Sequence, residues 1–382
     1  MPMQSFPRRQ FLGGLVIGTT ATACGQLGLE LQARAASLET TVKTIAGTGI
    51  AGYTAEGVAG LPGTSTPVNN PYGAVVGPDA ALYFCEVDSG RIRRLDLVTQ
   101  RLTTIAGTGE KAYSGDGGPA RLAAFSAPHE IRFDTQGNLF VVERDSHTVR
   151  RIDGSSGIVT TIAGTGEAGY GGDDAAANRA QLRQPHSIAF DAAGNLLICD
   201  IGNSRLRQVH MASGVISTLA GTGQREATPD AAPLLGTPLL GPRSIDTDPL
   251  GNAYLVLREG NAVFQLDLQA GRLQRIAGTG VQGYSGDGGP ALTATFNGPK
   301  GIAYSTAEHA LYIVDTENHV IRRMSLSSGT IETVLGSGER GDGPDGNPLL
   351  CKLNRPHGVF VHEGTVYVTD SESHRVRALT IA

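Results

Sequence analysis

The 382-residue chain contains no tryptophan, few aromatic residues (5%) and few charged residues (18%), and its formal net charge is −5. Proteins that bind nucleic acid cluster lysine and arginine against the phosphate backbone, whereas the basic residues here are scattered. We therefore expect no nucleic-acid partner. Hydrophobic residues make up 40% of the sequence, which is enough for a packed core and excludes a chain that is disordered throughout.

Cysteine is also scarce, and its four copies are Cys24, Cys85, Cys199 and Cys351. No CxxC pair and no Cys/His cluster with zinc-finger spacing occurs, so a disulfide framework is not indicated. Cys85 and Cys199 end similar apolar runs (LYFC and LLIC), which predicts that they are buried small hydrophobic residues. The nucleophile-elbow, HExxH, Walker and dinucleotide-binding motifs of common enzyme classes are absent as well.

The N-terminus carries an arginine pair, Arg8-Arg9, followed by a short apolar run, within residues 7–23 (PRRQFLGGLVIGTTATA). The run is too short and too rich in glycine and threonine to make a good membrane span. The segment resembles a bacterial twin-arginine export signal. This resemblance implies that residues 1–36 are a targeting segment and that the protein is periplasmic or otherwise exported.

Two ways of processing this segment remain open. Ala33-Arg34-Ala35 places small residues three and one positions before a cut, as a signal peptidase requires. Alternatively, Ala21-Thr22-Ala23-Cys24 resembles a lipobox, in which a lipidated Cys24 would anchor the protein. We expect contact with a membrane only in the second case.

The rest of the chain is built from repeats. Six segments begin with proline, each 57 residues after the one before: PYGAVV at Pro71, PHEIRF at Pro128, PHSIAF at Pro185, PRSIDT at Pro242, PKGIAY at Pro299 and PHGVFV at Pro356. In the second unit, turn residues separate four β-prone runs (HEIRF, NLFVVE, HTVRRI and VTTIAG), a pattern typical of antiparallel hairpins. The sequence therefore predicts an all-β fold over residues 40–382, a six-bladed β-propeller with four antiparallel strands per blade.

The outer strands also predict how the ring closes. Five units end in a strand similar to TTIAGTG, but the sixth ends in RVRALTIA and has no such strand. A sixth copy, KTIAGTG at residues 43–49, stands before the first unit. We therefore expect the N-terminal segment to supply the outer strand of the last blade, which leaves no unpaired end blade.

Long connections join each outer strand to the next proline, and two of them are nearly identical: YSGDGGPARLAAF (113–125) and YSGDGGPALTATF (284–296). Asp-Gly-Gly followed by proline predicts a turn into one short helix, with the proline at its first position. Each copy offers a single aspartate, Asp116 or Asp287, which is too few oxygen ligands for a calcium loop.

These residues resemble a known family. The pattern P-x-G-[IV]-x-[FY], then D-x-x-G-N-L, then [NS]-H-x-[IV]-R is that of NHL repeats, here in Asp134–Asn138 with Asp145–Arg150, and in Asp315–Arg322. The long connections resemble those of exported bacterial NHL proteins. The resemblance covers residues 40–382 and implies the propeller fold, but it does not choose among binding modules and metal-dependent enzymes.

The residue after each strand-starting proline should lie at the rim of the central channel, at one face of the propeller. These rim residues are Tyr72, His129, His186, Arg243, Lys300 and His357. Because a constant repeat places them at equivalent heights, we predict that they converge in one funnel and bind a ligand. Their cationic character favours an anion, bound more tightly at pH 5.5 if the histidines are protonated.

The Pro-His-x-[IV] segments also resemble the zinc-binding strand starts of the peptidyl-hydroxyglycine amidating lyase, which takes its metal histidines from alternate blades. This resemblance implies zinc at His129, His186 and His357, and calcium remains the alternative metal. Arg243 takes the place of one alternate-blade ligand, and arginine has no lone pair to donate. The alternative is that the rim side chains only bond neighbouring loops.

A second set of residues ends the second strand of each blade: Glu86, Glu143, Asp200, Leu257, Asp315 and Asp370. The third strands carry arginines: Arg91, Arg93, Arg150, Arg205, Arg207, Arg322 and Arg375. We predict that acids and arginines of adjacent blades pair and hold the blades together. Leu257 interrupts the set in the fourth blade.

Two functions remain open. The first is an exported, monomeric binding module that presents its top face to a protein, a glycan or a small anionic ligand. The second is a metal-dependent lyase or hydrolase resembling the amidating lyase or the gluconolactonase-like propellers. No catalytic residue can be assigned from the sequence, and the binding module is the preferred interpretation.

Overall fold

The computed structural model describes residues 40–381, which form a ring of six antiparallel sheets with four or five strands each. The six-bladed propeller is therefore confirmed. The predicted export signal, both processing sites and Cys24 lie outside the described residues. Within residues 40–381, no helix is long and apolar enough to cross a membrane.

The first three blades contain the following strands: blade 1, β2 (Leu61–Pro62), β3 (Pro71–Val76), β4 (Leu82–Glu86), β5 (Arg91–Leu95) and β6 (Arg101–Ala106); blade 2, β7 (Pro128–Phe133), β8 (Leu139–Glu143), β9 (Thr148–Ile152) and β10 (Val159–Ala163); blade 3, β11 (Ala175–Ala176), β12 (Pro185–Phe190), β13 (Leu196–Asp200), β14 (Arg205–His210) and β15 (Val215–Ala220).

The other three blades contain these strands: blade 4, β16 (Ala232–Pro233), β17 (Pro242–Thr247), β18 (Asn252–Leu257), β19 (Ala262–Asp267) and β20 (Arg272–Ala277); blade 5, β21 (Gly301–Ser305), β22 (Ala310–Asp315), β23 (Val320–Ser325) and β24 (Ile331–Leu335); blade 6, β25 (Gly358–His362), β26 (Thr365–Asp370), β27 (Arg375–Thr380) and β1 (Thr41–Ala46). Seven single 3-10 turns lie between strands: Gly63–Ser65, Ala120–Leu122, Ala177–Arg179, Ile201–Asn203, Ala291–Thr293, Thr316–Asn318 and Ser371–Ser373.

The N-terminal strand closes the ring, as predicted. β1 pairs antiparallel with β27, with Thr41 opposite Thr380 and Ala46 opposite Val376. The innermost strand of each blade contacts that of the next, and β25 of blade 6 contacts β3 of blade 1. The last blade is therefore built from both ends of the described chain.

Six hydrophobic clusters form the core, and each is shared by two neighbouring blades. The cluster between blades 1 and 2, for example, joins Val75 and Cys85 to Ile131 and Val141. Cys85, Cys199 and Cys351 are free and buried in such clusters, which confirms the prediction that Cys85 and Cys199 pack as small hydrophobic residues. Burial raises the pKa of the Cys85 thiol well above its usual value.

The hairpin turns follow directly from the sequence. Between β7 and β8, a carboxylate oxygen of Asp134 accepts the backbone N–H groups of Gln136 (2.9 Å) and Asn138 (2.8 Å). Gly137 has φ +82°, a conformation that glycine adopts without steric cost. The Asp-x-x-Gly-Asn pattern is therefore a turn held by its own side chain.

The connections differ from the prediction of a short helix that begins with proline. Ala120–Leu122 is only one 3-10 turn, and Pro119 is its N-cap rather than its first residue. The connection instead bonds the outer strand, since the N–H of Gly117 donates to the carbonyl of Val159 (2.8 Å). Pairing of this kind also produces the short fifth strands of blades 1, 3 and 4.

Candidate functional site

Backbone geometry brings each rim residue to the channel. The residue before the proline has a positive φ in all six blades, so the chain turns sharply into the innermost strand: Asn70 (52°), Ala127 (52°), Gln184 (49°), Gly241 (73°), Gly298 (55°) and Arg355 (47°). The strand register then shifts across His129, His186 and Arg243. A shift of this kind takes a residue out of the regular ladder and re-aims its side chain.

Five of the six rim side chains form one continuous series of contacts around the channel. The ring of Tyr72 stacks on His357 with centroids 3.9 Å apart and meets His129 edge-on at 4.4 Å. His129 in turn lies 4.4 Å from His186. Lys300 Nζ lies 3.3 Å from Nε2 of His357 and extends the series into blade 5.

The sixth rim residue, Arg243, comes from blade 4. Its side chain is buried, with 6% of the residue exposed, and within residues 40–381 it makes no hydrogen bond or ion pair. Burial, opposed by the field of Tyr72, lowers its pKa to about 10, so it stays charged at neutral pH. A buried cation without a hydrogen-bonded counter-charge is costly unless something else supplies the charge.

Lys300 is the second buried cation of the rim. Its Nζ donates to Oε1 of Glu317 at 2.9 Å, and only 5% of the residue is exposed. Burial is the largest influence and lowers the Lys300 pKa to about 8, with Arg243 adding to the effect and Glu317 opposing it. Lys300 is therefore the rim cation that titrates closest to neutral pH.

The three rim histidines share a lowered pKa. Burial is the main cause that lowers the pKa of His129, His186 and His357 well below the usual imidazole range, and nearby cations, Arg243 among them, add to it. The sequence-based expectation that these histidines gain charge at pH 5.5 is therefore not supported. Nδ1 of His129 and of His357 is buried and has no hydrogen-bond partner among the described residues.

His186 also lines a cavity of about 260 Å³ that sequence reasoning missed. Arg144, Arg225 and Arg258 line it together with Asp145 and Glu259. Nε of Arg144 lies 2.6 Å from Oδ1 of Asp145, and Nη1 of Arg258 lies 3.3 Å from Oε1 of Glu259, so both pairs form ion pairs. Arg144 and Arg258 directly follow Glu143 and Leu257 in the sequence, so extending the repeat alignment by one position would have found them. The rim and this cavity together are called the funnel below.

The histidines proposed for a metal do not form a cluster of ligands. The Tyr72 ring contacts both His357 and His129, and the two imidazoles pack against it through their rings. Among residues 40–381, no group of three or more His, Cys, Asp or Glu side chains is placed to hold a metal ion. Zinc or calcium at His129, His186 and His357 stays a prediction, which metal analysis of the purified protein would test.

Comparison with known proteins identifies the repeat. The sequence profile of the NHL repeat matches residues 353–379. NHL repeat-containing protein 2 of Gallus gallus is 23% identical in a 290-residue alignment that covers 68% of this chain and 39% of that protein. The chain is an NHL-repeat propeller. The chloroplastic protein SUPPRESSOR OF QUENCHING 1 of Arabidopsis thaliana is 24% identical in a 291-residue alignment that covers 73% of this chain and 27% of that protein.

Solved structures share the fold of this NHL propeller. An auxiliary nutrient binding protein from Bacteroides thetaiotaomicron aligns with a TM-score of 0.64 and 16% identity, over 89% of this chain and 76% of that one. A catalytically inactive virginiamycin B lyase from Staphylococcus aureus, solved with quinupristin, aligns with a TM-score of 0.52 and 14% identity, over 83% and 97%. Identities this low establish the shared architecture and not a shared activity.

The histidine of the NHL pattern has a structural role between blades. The backbone N–H of Gln184 in blade 3 donates to Nδ1 of His147 in blade 2 at 3.1 Å. His319 accepts the N–H of Arg355 in the same way (3.2 Å), and in blade 4 an asparagine oxygen takes over this role. The donors are the residues that precede the strand-starting prolines, so these bonds fix the turn that presents the rim.

The acids and arginines pair within a blade and not between adjacent blades, so that prediction was wrong. The pairs are Glu86–Arg93 (2.8 Å), Glu143–Arg150 (3.0 Å), Asp200–Arg207 (3.5 Å), Asp315–Arg322 (3.6 Å) and Asp370–Arg377 (2.8 Å). Hairpin register explains the correction, because β8 and β9 of one blade place Glu143 and Arg150 within reach on the same sheet. Each arginine also binds an acid of its own blade's connection, as Arg150 binds Asp116 at 2.7 Å.

Proposed function

We propose that this NHL propeller is an exported binding module that captures a small anionic ligand, a carboxylate or a phosphate, in the funnel. The observation that carries the proposal is Arg243, a buried cation with no partner among residues 40–381. A buried guanidinium with free donors is well suited to bind a carboxylate or phosphate through two hydrogen bonds.

The surroundings of Arg243 support an anion in the same place. Lys300 lies at the same rim, and Arg144 and Arg258 line the cavity that His186 also lines. The unpartnered Nδ1 atoms of His129 and His357 add buried polar groups that a bound ligand could satisfy. The rings of Tyr72 and the histidines surround the site with aromatic side chains, which favours a compact organic anion over an inorganic ion.

Two further features support a binding role outside the cytoplasm. A solved propeller of the same architecture is an auxiliary nutrient binding protein. The arginine pair Arg8-Arg9 and the apolar run behind it favour export, although this segment lies outside the described residues. Fractionation of cells that produce the full chain tests the location, and accumulation of all of the protein in the cytoplasm would contradict it.

Calorimetric titration with sulfate, citrate and inorganic phosphate tests the function. Replacing Arg243 with methionine keeps much of the side-chain volume and removes the charge, and we expect it to weaken binding at least ~10-fold. The melting temperature should not fall, because the arginine has no partner to lose.

Arg179→Ala provides the matched control, since Arg179 is an exposed arginine outside the funnel. It should bind each anion as the unchanged protein does. The proposal is wrong if no anion binds the unchanged protein, or if Arg243→Met and Arg179→Ala bind with equal affinity.

A further inference from the structure

A tyrosine of the connection fills the same position in four of the six blades. Its ring lies near the same buried arginine of the third strand, with these distances from guanidinium carbon to ring centroid: Tyr53–Arg93 5.5 Å, Tyr113–Arg150 5.1 Å, Tyr170–Arg207 5.2 Å and Tyr284–Arg322 5.4 Å. In blades 2, 3 and 5 the phenolic oxygen also bonds a threonine of the outer strand: Tyr113–Thr161 2.8 Å, Tyr170–Thr218 3.2 Å and Tyr284–Thr333 2.9 Å.

Blade 4 has lost this whole arrangement. The 57-residue repeat places Ala227 at the tyrosine position, Phe264 at the position of Arg150 and Arg207, and Arg275 at the threonine position. Leu257 stands where the other blades have the acid that pairs with the arginine. Blade 4 therefore has the apolar side chains of Leu257 and Phe264 where the other blades have an ion pair, and its arginine, Arg275, lies on the outer strand.

A cavity of about 360 Å³ occupies this place, called the fourth-blade pocket below. Its lining includes Ala227, Leu257, Phe264, Arg275 and Gly280. Leu257 and Phe264 are no more than 2% exposed, so they form its floor. The volume is in the range of small-molecule sites.

The glycine after the outer strand shows that this is the space of a missing tyrosine ring. A Cβ atom added to Gly166 of blade 2 would lie 3.1 Å from the ring of Tyr113, and one on Gly338 of blade 5 would lie 3.3 Å from Tyr284. The equivalent Gly280 of blade 4 would meet no ring, only the carbonyl of Gly260 at 3.6 Å.

We propose that the fourth-blade pocket binds a small phenol, whose ring takes the place that the chain's own tyrosine holds in blades 1, 2, 3 and 5. The Arg275 guanidinium is anchored by one hydrogen bond to the carbonyl of Gly278 (2.7 Å), which leaves a planar cation to cover the ring or bond its oxygen.

The acidic residues that line the pocket favour a ligand with a neutral hydroxyl group over an anionic ligand. Asp230 lies 4.0 Å from Arg275 and balances its charge. Glu259 lines the pocket: its Oε1 lies 3.3 Å from Nη1 of Arg258, and its Oε2 is buried without a hydrogen-bond partner among the described residues. A phenolic O–H can donate to a carboxylate oxygen of Asp230 or Glu259, whereas a carboxylate ligand would be repelled by both acids.

Titration with p-cresol, the analogue of a tyrosine side chain, tests the proposal by calorimetry or by ligand-observed NMR. Ala227→Tyr introduces the tyrosine of blades 1, 2, 3 and 5 and should abolish p-cresol binding without lowering the melting temperature. Ala227→Ser leaves the pocket open and should bind as the unchanged protein does. Equal binding by Ala227→Tyr and Ala227→Ser, or no binding by the unchanged protein at roughly 10 mM p-cresol, would overturn the proposal.

A second variant keeps the test decisive if Ala227→Tyr folds poorly. Arg275→Thr restores the outer-strand residue of the other blades while leaving the space open, and we expect it to weaken p-cresol binding about 5-fold. Unchanged affinity in this variant would also count against the proposal. Glu259 lines both cavities, but Arg243 does not line the fourth-blade pocket and Ala227 does not line the funnel cavity. Arg243→Met should therefore bind p-cresol normally, and Ala227→Tyr should bind sulfate normally.

Discussion

The protonation of Lys300 controls how much positive charge the funnel presents near neutral pH. The ammonium group lies 2.9 Å from Oε1 of Glu317 and 3.3 Å from Nε2 of His357. The positive charges of Arg243 and Arg355 also lower its pKa. Burial lowers its pKa to about 8. The lysine is therefore charged below pH 8 and loses its charge as the pH rises through that value.

Anion binding in the funnel should consequently weaken between pH 7 and pH 9. The protonated fraction of Lys300 falls roughly 10-fold over this range, which sets the largest decrease in affinity that this lysine alone can cause. Sulfate is a suitable probe because it does not titrate there, and calorimetry at three pH values measures the change. Lys300→Met should bind more weakly at pH 7 and show no such decrease, and an equal decrease in this variant would assign the effect to another group.

The rim also shows which properties of a residue the sequence could predict. The repeat period located all six rim residues, and the structure brings Tyr72, the three histidines and Lys300 into contact. The protonation state of the histidines could not be predicted, because it depends on burial by neighbouring blades. The partner of Glu143 was also assigned to the wrong blade, since hairpin register and not sequence spacing decides which arginine it meets.

At the scale of one blade, the fourth repeat shows that the buried ion pair can be replaced. Glu143 and Arg150 of blade 2 lie 3.0 Å apart with neither side chain exposed, whereas blade 4 has Leu257 and Phe264 at these positions. Both partners have changed together, as expected when removing only one would leave a buried charge unpaired.

Transferring the blade 4 residues into blade 2 tests this explanation. Arg150→Phe alone should lower the free energy of unfolding by about 3–5 kcal/mol, because Glu143 keeps a buried carboxylate without its arginine. Adding Glu143→Leu should recover a large part of that loss. Urea unfolding of the two single variants and the double variant forms a cycle, and strictly additive losses would mean that the two residues act independently.

The stability of the closed propeller ring depends on contacts that join the two ends of the described chain. Most links between blades are repeated, such as the backbone bonds to His147 and His319, but the link through β1 occurs once. Val42 and Ala46 of β1 are fully buried, in two different inter-blade clusters. The strand therefore completes the core on both sides of blade 6 as well as its edge. The missing sixth outer strand was visible in the sequence, which is why ring closure could be predicted.

Removing β1 should open the ring. A chain that begins at Gly47 loses the burial of Val42 and Ala46, the backbone ladder to β27, and the bond from Nη1 of Arg377 to the Thr44 hydroxyl (3.2 Å). Burial of a valine contributes about 2 kcal/mol and each hydrogen bond about 1 kcal/mol, so we expect a loss of about 4 kcal/mol or more. A chain that begins at Thr40 retains β1 and is the matched control. Calorimetric scans should show a lower melting temperature for the shorter chain alone. Identical melting of the two chains would mean that blade 6 holds the ring closed with three strands, and that the stability of the propeller does not depend on the joining of its ends.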